Sequence, residues 1–327
     1  MAEWLYEAGI GEARAALVEN GAIVEARIER DQEGPPVGTV QHARLVEAGK
    51  RPLVMLDGPG ESLVSLTRLP PAIPIGSQLK VEITRAALME RGRDKLGRAK
   101  IADPDAAVGP GPDLRARIAA TGVKVVDLGA PGPDRLEEAG WSEVVGHVRT
   151  GHWPFGGGAL WVDATPAMVL IDIDGDDDPL ALAQAGAAAA VGVIRCCDIT
   201  GSIGIDFPSL ASRGDRLAID ALIDTLLPQP FERTAVNGFG LMQIIRRRVR
   251  PSLIEQIRLD PVATDGALLL RQAERAVGAG VLKLTARPAV IDHIGGRPLW
   301  IEMLQRRTGR PVALIADAQS KGMGHAQ

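Results

Sequence analysis

Aromatic residues are scarce in this sequence. Phe, Trp and Tyr together make up 3% of the 327 residues, and none occurs between Gly38 and Ile101. Any core must therefore rest on Leu, Ile, Val and Ala, which the 46% hydrophobic content supplies. Cysteine is confined to one adjacent pair, Cys196 and Cys197, inside an apolar segment. That excludes a disulfide framework and, with no CxxC pair, a structural zinc site of the usual kind; the two read as small buried hydrophobes in a reducing compartment. Neither sign of charge dominates. A net charge of −4 argues against non-specific coating of nucleic acid but leaves room for a local basic groove. Long apolar runs are missing too. The alanine-rich run Ala185–Val193 is too short and too closely flanked by charge to span a bilayer. The opening MAEWLYEAGIGEARAALVENG mixes acids with apolar residues and has no basic leader, so no signal peptide is read and a cytoplasmic protein is expected. GxSxG, P-loop and Rossmann fingerprints are absent, and no His lies near a plausible nucleophile. His152, beside the Gly-rich turn TGHWPFGGG, reads as structural.

What is present is more than one compact domain's length of chain. Residues 2–31 read as strands around turns, with Asn20-Gly21 as a hairpin signal between two apolar runs. From Gly38 to Ile101, short strands with frequent breaks match the scale of a small OB or S1 barrel. From 114 to 258, strands and helices alternate, which predicts α/β architecture. The segment includes strands GGALWVDAT, AMVLIDID and SIGIDF, a helix from Pro179 to Cys197, a helix over 209–227, a strand near TAVN and a helix GLMQIIRRRVRPSL. RLDPVATDG marks a boundary. A small α+β module follows, with a helix over 266–278, strand VLKLTA, a helix from PAVIDHI past Trp300 and strand PVALIAD. The terminal SKGMGHAQ is expected to fray.

The acidic run VLIDIDGDDDP concentrates the chemistry. On a strand, Asp172 and Asp174 share one face while Ile171 and Ile173 take the other. Both lie where open α/β sheets place ligands, and Asp206 ends a second apolar strand. If those strands are neighbours, three carboxylates converge, and such a cluster needs a cation or shifted pKa values. An all-oxygen set suits Mg²⁺, with Mn²⁺ as the alternative, and a metal held there can activate water against a phosphate ester. The bland reading is ordinary loop aspartates. Asp178 before Pro179 reads as a helix N-cap, and Asp176 and Asp177 as carboxylates favoured by the helix dipole. On a helical reading, Arg246 and Arg250 share a face four residues apart and suit a phosphate backbone; a solvated face is the equal alternative.

These motifs resemble the ribonuclease E/G family. WPFGGGALWVDATPAMVLIDID is similar to that family's Gly-Gly turn and paired strands, GSIGIDF to its IDF strand, and GFGLMQIIRRRVRPSL to its arginine-rich PSL segment. Specific similarity covers about residues 153–253 and looser similarity most of the chain. The resemblance implies an RNase H-like and DNase I-like α/β catalytic core with an inserted S1/OB-like barrel and a small C-terminal α+β domain. The parts would be residues 1–37 (N-terminal strands of the RNase H-like part), 38–102 (barrel), 103–152 (its remainder), 153–260 (DNase I-like catalytic part) and 261–327. It implies a Mg²⁺-dependent endoribonuclease acting on single-stranded RNA, leaving a 5′-phosphate and a 3′-hydroxyl. Asp172 and Asp206 take the family's metal-binding positions, and Asp174 stands where the family has Asn. Arg246, Arg247, Arg248 and Arg250, with Arg233 upstream, would steer the RNA. The segment 101–121 is too short for the family's 5′-sensor. EQIRLDPVATDG replaces its zinc-link CPxC, so no zinc is expected and any homo-oligomer would form without that link. With no aromatics, the barrel should grip RNA weakly. The alternative is an RNA-binding or scaffold protein derived from such a nuclease with little or no catalysis. A phosphatase acting on a smaller ester is a third. No membrane partner is expected.

Overall fold

The computed structural model describes residues 2–31, 34–58, 62–90, 94–130 and 132–327. It shows a mixed α/β protein containing a closed five-stranded barrel and three further sheets. The chain opens as an antiparallel meander of β1 (Glu3–Ala8), β2 (Glu12–Glu19) and β3 (Ala22–Arg30). Asn20 and Gly21 both have positive φ, as a two-residue hairpin turn with the strands' own twist requires. The chain then leaves this sheet for the barrel: β4 (Val40–Glu47), β5 (Leu53–Leu56), β6 (Leu63–Leu66), β7 (Gln78–Arg85) and β8 (Gly97–Ile101). The strands close in the order β4-β5-β6-β8-β7, with one parallel pair, β6 with β8. Ala43, Leu45, Val54, Val81, Ile83 and Ala99 fill its interior, so aliphatic side chains alone complete the barrel core. After α1 (Leu114–Ala119), β9 (Val125–Leu128) returns the chain beside β1, parallel to it. The barrel is thus an insertion between two strands of one sheet.

Next come α2 (Arg135–Glu138), α3 (Trp141–Thr150), β10 (His152–Phe155), β11 (Gly158–Ala164), β12 (Val169–Gly175), α4 (Pro179–Cys196), β13 (Gly201–Asp206), α5 (Arg213–Leu226), β14 (Glu232–Arg233) and β15 (Leu241–Arg246). The six strands of this stretch form a sheet ordered β10-β11-β12-β13-β15-β14, in which only β12 and β13 are parallel, joined through α4. One face packs Leu160, Val162, Ile171, Ile173, Ile203, Ile205, Met242 and Ile244 into a core that also takes in the N-terminal sheet. Helix α4 lies in that core. A Cβ on its Gly186 would stand 2.5 Å from Ile173, so glycine sets how closely α4 approaches β12. With 18 residues and a mean hydropathy of 1.4, α4 is long and apolar enough to cross a membrane, contrary to the shorter run read from the sequence; half of it is buried inside the protein. Cys196 and Cys197 are free and buried at its end.

The arginine-rich segment departs from expectation. GLMQIIRRRVRPSL is not one helix: residues 241–246 form β15, 247–251 have no regular structure, and α6 (Leu253–Leu259) follows its own capping box at Ser252. Burial along Leu241–Ile245 alternates with period two, burying Met242 and Ile244. Ladder pairing with β13 therefore overrides the helical spacing. The strand expected near TAVN lies earlier, at β14, and the helix expected over 209–227 starts at Arg213 behind the N-cap Ser212.

The tail differs in three places. The helix expected over 266–278 is α7 (Pro261–Glu274), which starts within RLDPVATDG, directly after α6, with Asp260 as its N-cap. PAVIDHI and the residues around Trp300 form two helices, α8 (Pro288–Gly295) and α9 (Pro298–Thr308), since Pro298 cannot continue the first. The C-terminal residues do not fray: β18 (His325–Ala326) pairs with β16 (Leu282–Ala286), which also pairs with β17 (Val312–Ala316).

A buried charge network ties α7 and α2 to the N-terminal sheet. Arg14 donates to Glu7 at 2.6 Å and to both oxygens of Asp134. Arg271 bonds Glu12 at 2.6 Å, Arg30 bonds Glu12 at 2.8 Å, and Arg275 reaches Glu7 and Asp134. Arg14 also lies over the Trp141 ring.

Candidate functional site

The second face of the six-stranded sheet presents Trp161, Leu170, Leu241 and Ile245 as exposed side chains. Alternation in β12 buries Val169, Ile171 and Ile173 and exposes Leu170, Asp172 and Asp174. In β13 the last residue, Asp206, is exposed after three buried positions. The parallel pairing places Asp172 and Asp206 directly opposite each other. The row extends both ways: Trp161 of β11 is opposite Asp172, and Leu241 of β15 is opposite Asp206. Opposed residues share a face, and neighbouring strands stand about 4.8 Å apart. Two carboxylates thus sit side by side toward the C-terminal ends of two parallel strands, where α/β sheets present ligands.

The electrostatics match this placement. Partial burial, the neighbouring Asp206 and then Asp174 together hold the Asp172 carboxyl above its ordinary value. The pair is therefore under like-charge tension, which a cation or a shared proton relieves.

Asp174 lies one step further along the same strand, opposite Ala159. Among the described residues no group of three or more His, Cys, Asp or Glu is placed to share one ion. The register brings Asp172 and Asp206 together, and Asp174, two residues on along the same face, is near enough for its charge to act on Asp172. The rest of the acidic run separates as its spacing suggests. Asp178 caps α4, accepting from the Leu180 and Ala181 amides. Asp177 leans on the Gly-rich turn, where a Cβ on Gly157 would meet its Oδ2 at 2.1 Å. Asp176 is exposed.

The arginines do not gather around the carboxylates. Arg233 pairs in register with Ile244, so it points to the opposite, helix-covered face. There it bonds both oxygens of Asp224 and pairs with Asp220 at 3.2 Å. Buried Asp220 also accepts from the Val236 amide, so this group anchors the loop after β14. Arg246 turns to the Ile199 carbonyl. Arg248 joins Glu255 of α6 to Glu90 beyond the barrel's β7. Arg250 lines a cavity of about 360 Å³ that also touches Arg27, Arg117 and Tyr6. Arg247 is exposed and forms no ion pair among the described residues. The missing helix is the reason: Arg246 ends β15 and Arg247, Arg248 and Arg250 lie in the irregular segment after it, so no helix gathers them on one face. Arg233→Ala is accordingly expected to lower stability by about 1–3 kcal/mol, through loss of a partly buried ion pair. Urea denaturation checks this; unchanged stability together with weakened RNA binding would restore the steering role.

Two residues near the pair went unmarked in the sequence. Trp161 is 50% exposed, and its ring lies 4.7 Å from that of His152, its register partner on β10. Phe239, 89% exposed, sits two residues before Leu241. The available signal for Trp161 was its place in the polar phase of GALWVDA, between buried Leu160 and Val162.

No protein-family model matches the chain, and no curated protein matches it.

Proposed function

We propose that this chain is a metal-dependent endoribonuclease of the ribonuclease E/G kind, hydrolysing phosphodiester bonds in single-stranded RNA. The observation that carries the reading is the in-register pairing of Asp172 with Asp206 on adjacent parallel strands. Their donor set fits a hard divalent cation: Mg²⁺ is commonly held by one or two carboxylates, completing its shell with water and substrate phosphate oxygens. Burial, then Asp206 and Asp174, hold the Asp172 carboxyl above its ordinary value, a strain that a cation would relieve. Asp172 and Asp206 would hold the ion; Asp174 adds negative field without needing to coordinate. When bound, such an ion supplies Lewis-acid polarisation of a phosphate and a lowered pKa for water. The sheet keeps the carboxylates fixed at one strand spacing, and the open face leaves room for an extended nucleotide chain. The barrel inserted between β3 and β9 supports the family's arrangement of a sheet interrupted by an S1-like module, and its strand order is compatible with an OB-type barrel.

The test is cleavage of a fluorescent A/U-rich oligoribonucleotide by the full chain with and without Mg²⁺. Cleavage that needs Mg²⁺ is expected. A protein that binds the oligonucleotide equally in EDTA and never cleaves it belongs to the second reading, an RNA-binding or scaffold protein. Two observations favour that reading: the lack of a three-member ligand cluster among the described residues, and the arginines' engagement away from the carboxylates.

A further inference from the structure

Single-strand affinity usually draws on aromatic stacking, and the barrel has no aromatic residue to offer. The exposed aromatics lie instead beside the carboxylate pair. Trp161 stands one strand from Asp172 in the same row, backed by the His152 ring. Phe239 lies at the opposite end of that row, in the turn that delivers Leu241 beside Asp206. The turn is built firmly. Asn237 Oδ1 accepts from the amides of Phe239 and Leu241, the Phe207 amide donates to the Gly240 carbonyl, and Gly240 has a φ of +89°. A Cβ at Gly240 would strike the Phe207 carbonyl at 2.4 Å, so glycine is what lets the turn approach the end of β13 this closely. Between Trp161 and Leu241 the row holds only the carboxylates Asp172 and Asp206; in the next row Leu170 and Met168 close over the buried Gly204. Three strand spacings, about 14 Å, separate the Trp161 and Leu241 backbones.

We infer that Trp161 and Phe239 are base-stacking platforms on either side of the Asp172–Asp206 pair, each taking one unpaired nucleobase of an RNA strand whose backbone crosses the carboxylates. The inference rests on the ribonuclease reading and names how that site selects its substrate. A base in a duplex is already stacked and paired, so it cannot lie flat on Trp161 without being pulled out; unpaired bases bind at no such cost. A protein partner fits this face less well. Covering Leu170, Leu241 and Ile245 with an apolar surface would also bury two carboxylates without partners.

The experiment measures binding of a labelled ten-nucleotide A/U oligoribonucleotide to the full-length Asp206→Asn protein in Mg²⁺ buffer, by fluorescence anisotropy. Trp161→Ala and Phe239→Ala are each expected to raise Kd roughly tenfold, with Trp161→Phe close to the parent. Abasic substitutions moved along the oligonucleotide give the sharper readout. One abasic position should weaken binding to the parent but not to the Trp161→Ala protein, and a different position should do so for Phe239→Ala. A purely structural role would leave those penalties unchanged, and additive effects at every position overturn the inference. So does a Trp161→Ala protein that keeps its RNA affinity while losing self-association, which would make the face a contact between copies. If RNA cleavage by the wild-type chain is abolished by Asp172→Ala yet Kd ignores both aromatic variants, only this inference fails. If the wild-type chain neither binds nor cleaves RNA, the ribonuclease reading fails with it.

Discussion

Asp172→Ala and Asp206→Ala should each lower Mg²⁺-dependent RNA cleavage by at least about a hundredfold, because each removes half of a two-carboxylate ligand set whose ion is worth several kcal/mol to the reaction. A second readout does not depend on turnover. Mg²⁺ that binds only the folded chain stabilises it by mass action, about 2.7 kcal/mol at a hundred times its dissociation constant. Thermal denaturation should therefore show a Mg²⁺-dependent rise in Tm for the wild type and none for either variant. Without metal the order reverses. The Asp172 carboxyl is held above its unfolded value, first by burial and then by Asp206 and Asp174. A raised pKa contributes stability that is present below the unfolded carboxylate value and lost as pH rises through the folded one. At neutral pH the ionised pair is thus a liability. Asp172→Asn should melt slightly higher than the wild type in EDTA, by no more than about 1 kcal/mol on this solvent-exposed face. Cleavage should likewise fade in acid, where protons compete with the cation for the Asp172 carboxylate. If Asp172→Ala and Asp206→Ala cleave at wild-type rates, the site is misplaced.

The largest effect on stability is expected at Glu7→Gln. Glu7 is buried among Arg14, Arg271 and Arg275. Burial alone would raise its carboxyl, but Arg14 and the Arg275 hydrogen bond outweigh burial and hold it below the ordinary value; Glu12, beside Arg271 and Arg30, behaves in the same way. Gln keeps the volume but leaves three buried or half-buried guanidiniums short of one negative charge. Removing one partner of a buried ionic group costs about 3–5 kcal/mol. For a lowered carboxyl, the stabilising contribution is present above the unfolded value and is lost as pH falls through the folded one. The gap between wild type and Glu7→Gln should therefore be full at neutral pH and close as acid protonates Glu7. Urea denaturation through the carboxylate range checks this. A gap that widens on acidification would show that the network is not held by the Glu7 charge.

Much of this architecture could be read directly from short-range chemistry. Asn20-Gly21 makes its hairpin because both residues accept positive φ. Asp178-Pro179 starts α4 because an acceptor side chain and a residue without an amide proton suit a helix N-terminus. The alternation of Ile171 and Ile173 with Asp172 and Asp174 assigns opposite faces of one strand before any neighbour is known. The arginine segment shows the limit. RRRVR with Ile244 and Ile245 has the spacing of an amphipathic helix, yet the open edge of β13 captures Leu241–Arg246 as a strand. That choice lies in a pairing between residues some forty positions apart, which local propensity cannot weigh.

The candidate site divides along the same line. By itself the sequence determined that Asp172 and Asp174 share a face, that Asp206 ends an apolar strand, and that the 38–101 segment has no aromatic side chain to offer a base. Only the tertiary structure decided that β12 and β13 are neighbours in a register that sets Asp172 opposite Asp206, that Asp174 stands one step aside, and that Trp161 lies in the same row beside Asp172 while Arg233 and Arg246 turn away. The physical reason is that a strand's own sequence fixes which side chains share a face, through its period of two. Which strand lies alongside, and in what register, is fixed by burial of the other face against α4, and that requires the whole core to be assembled.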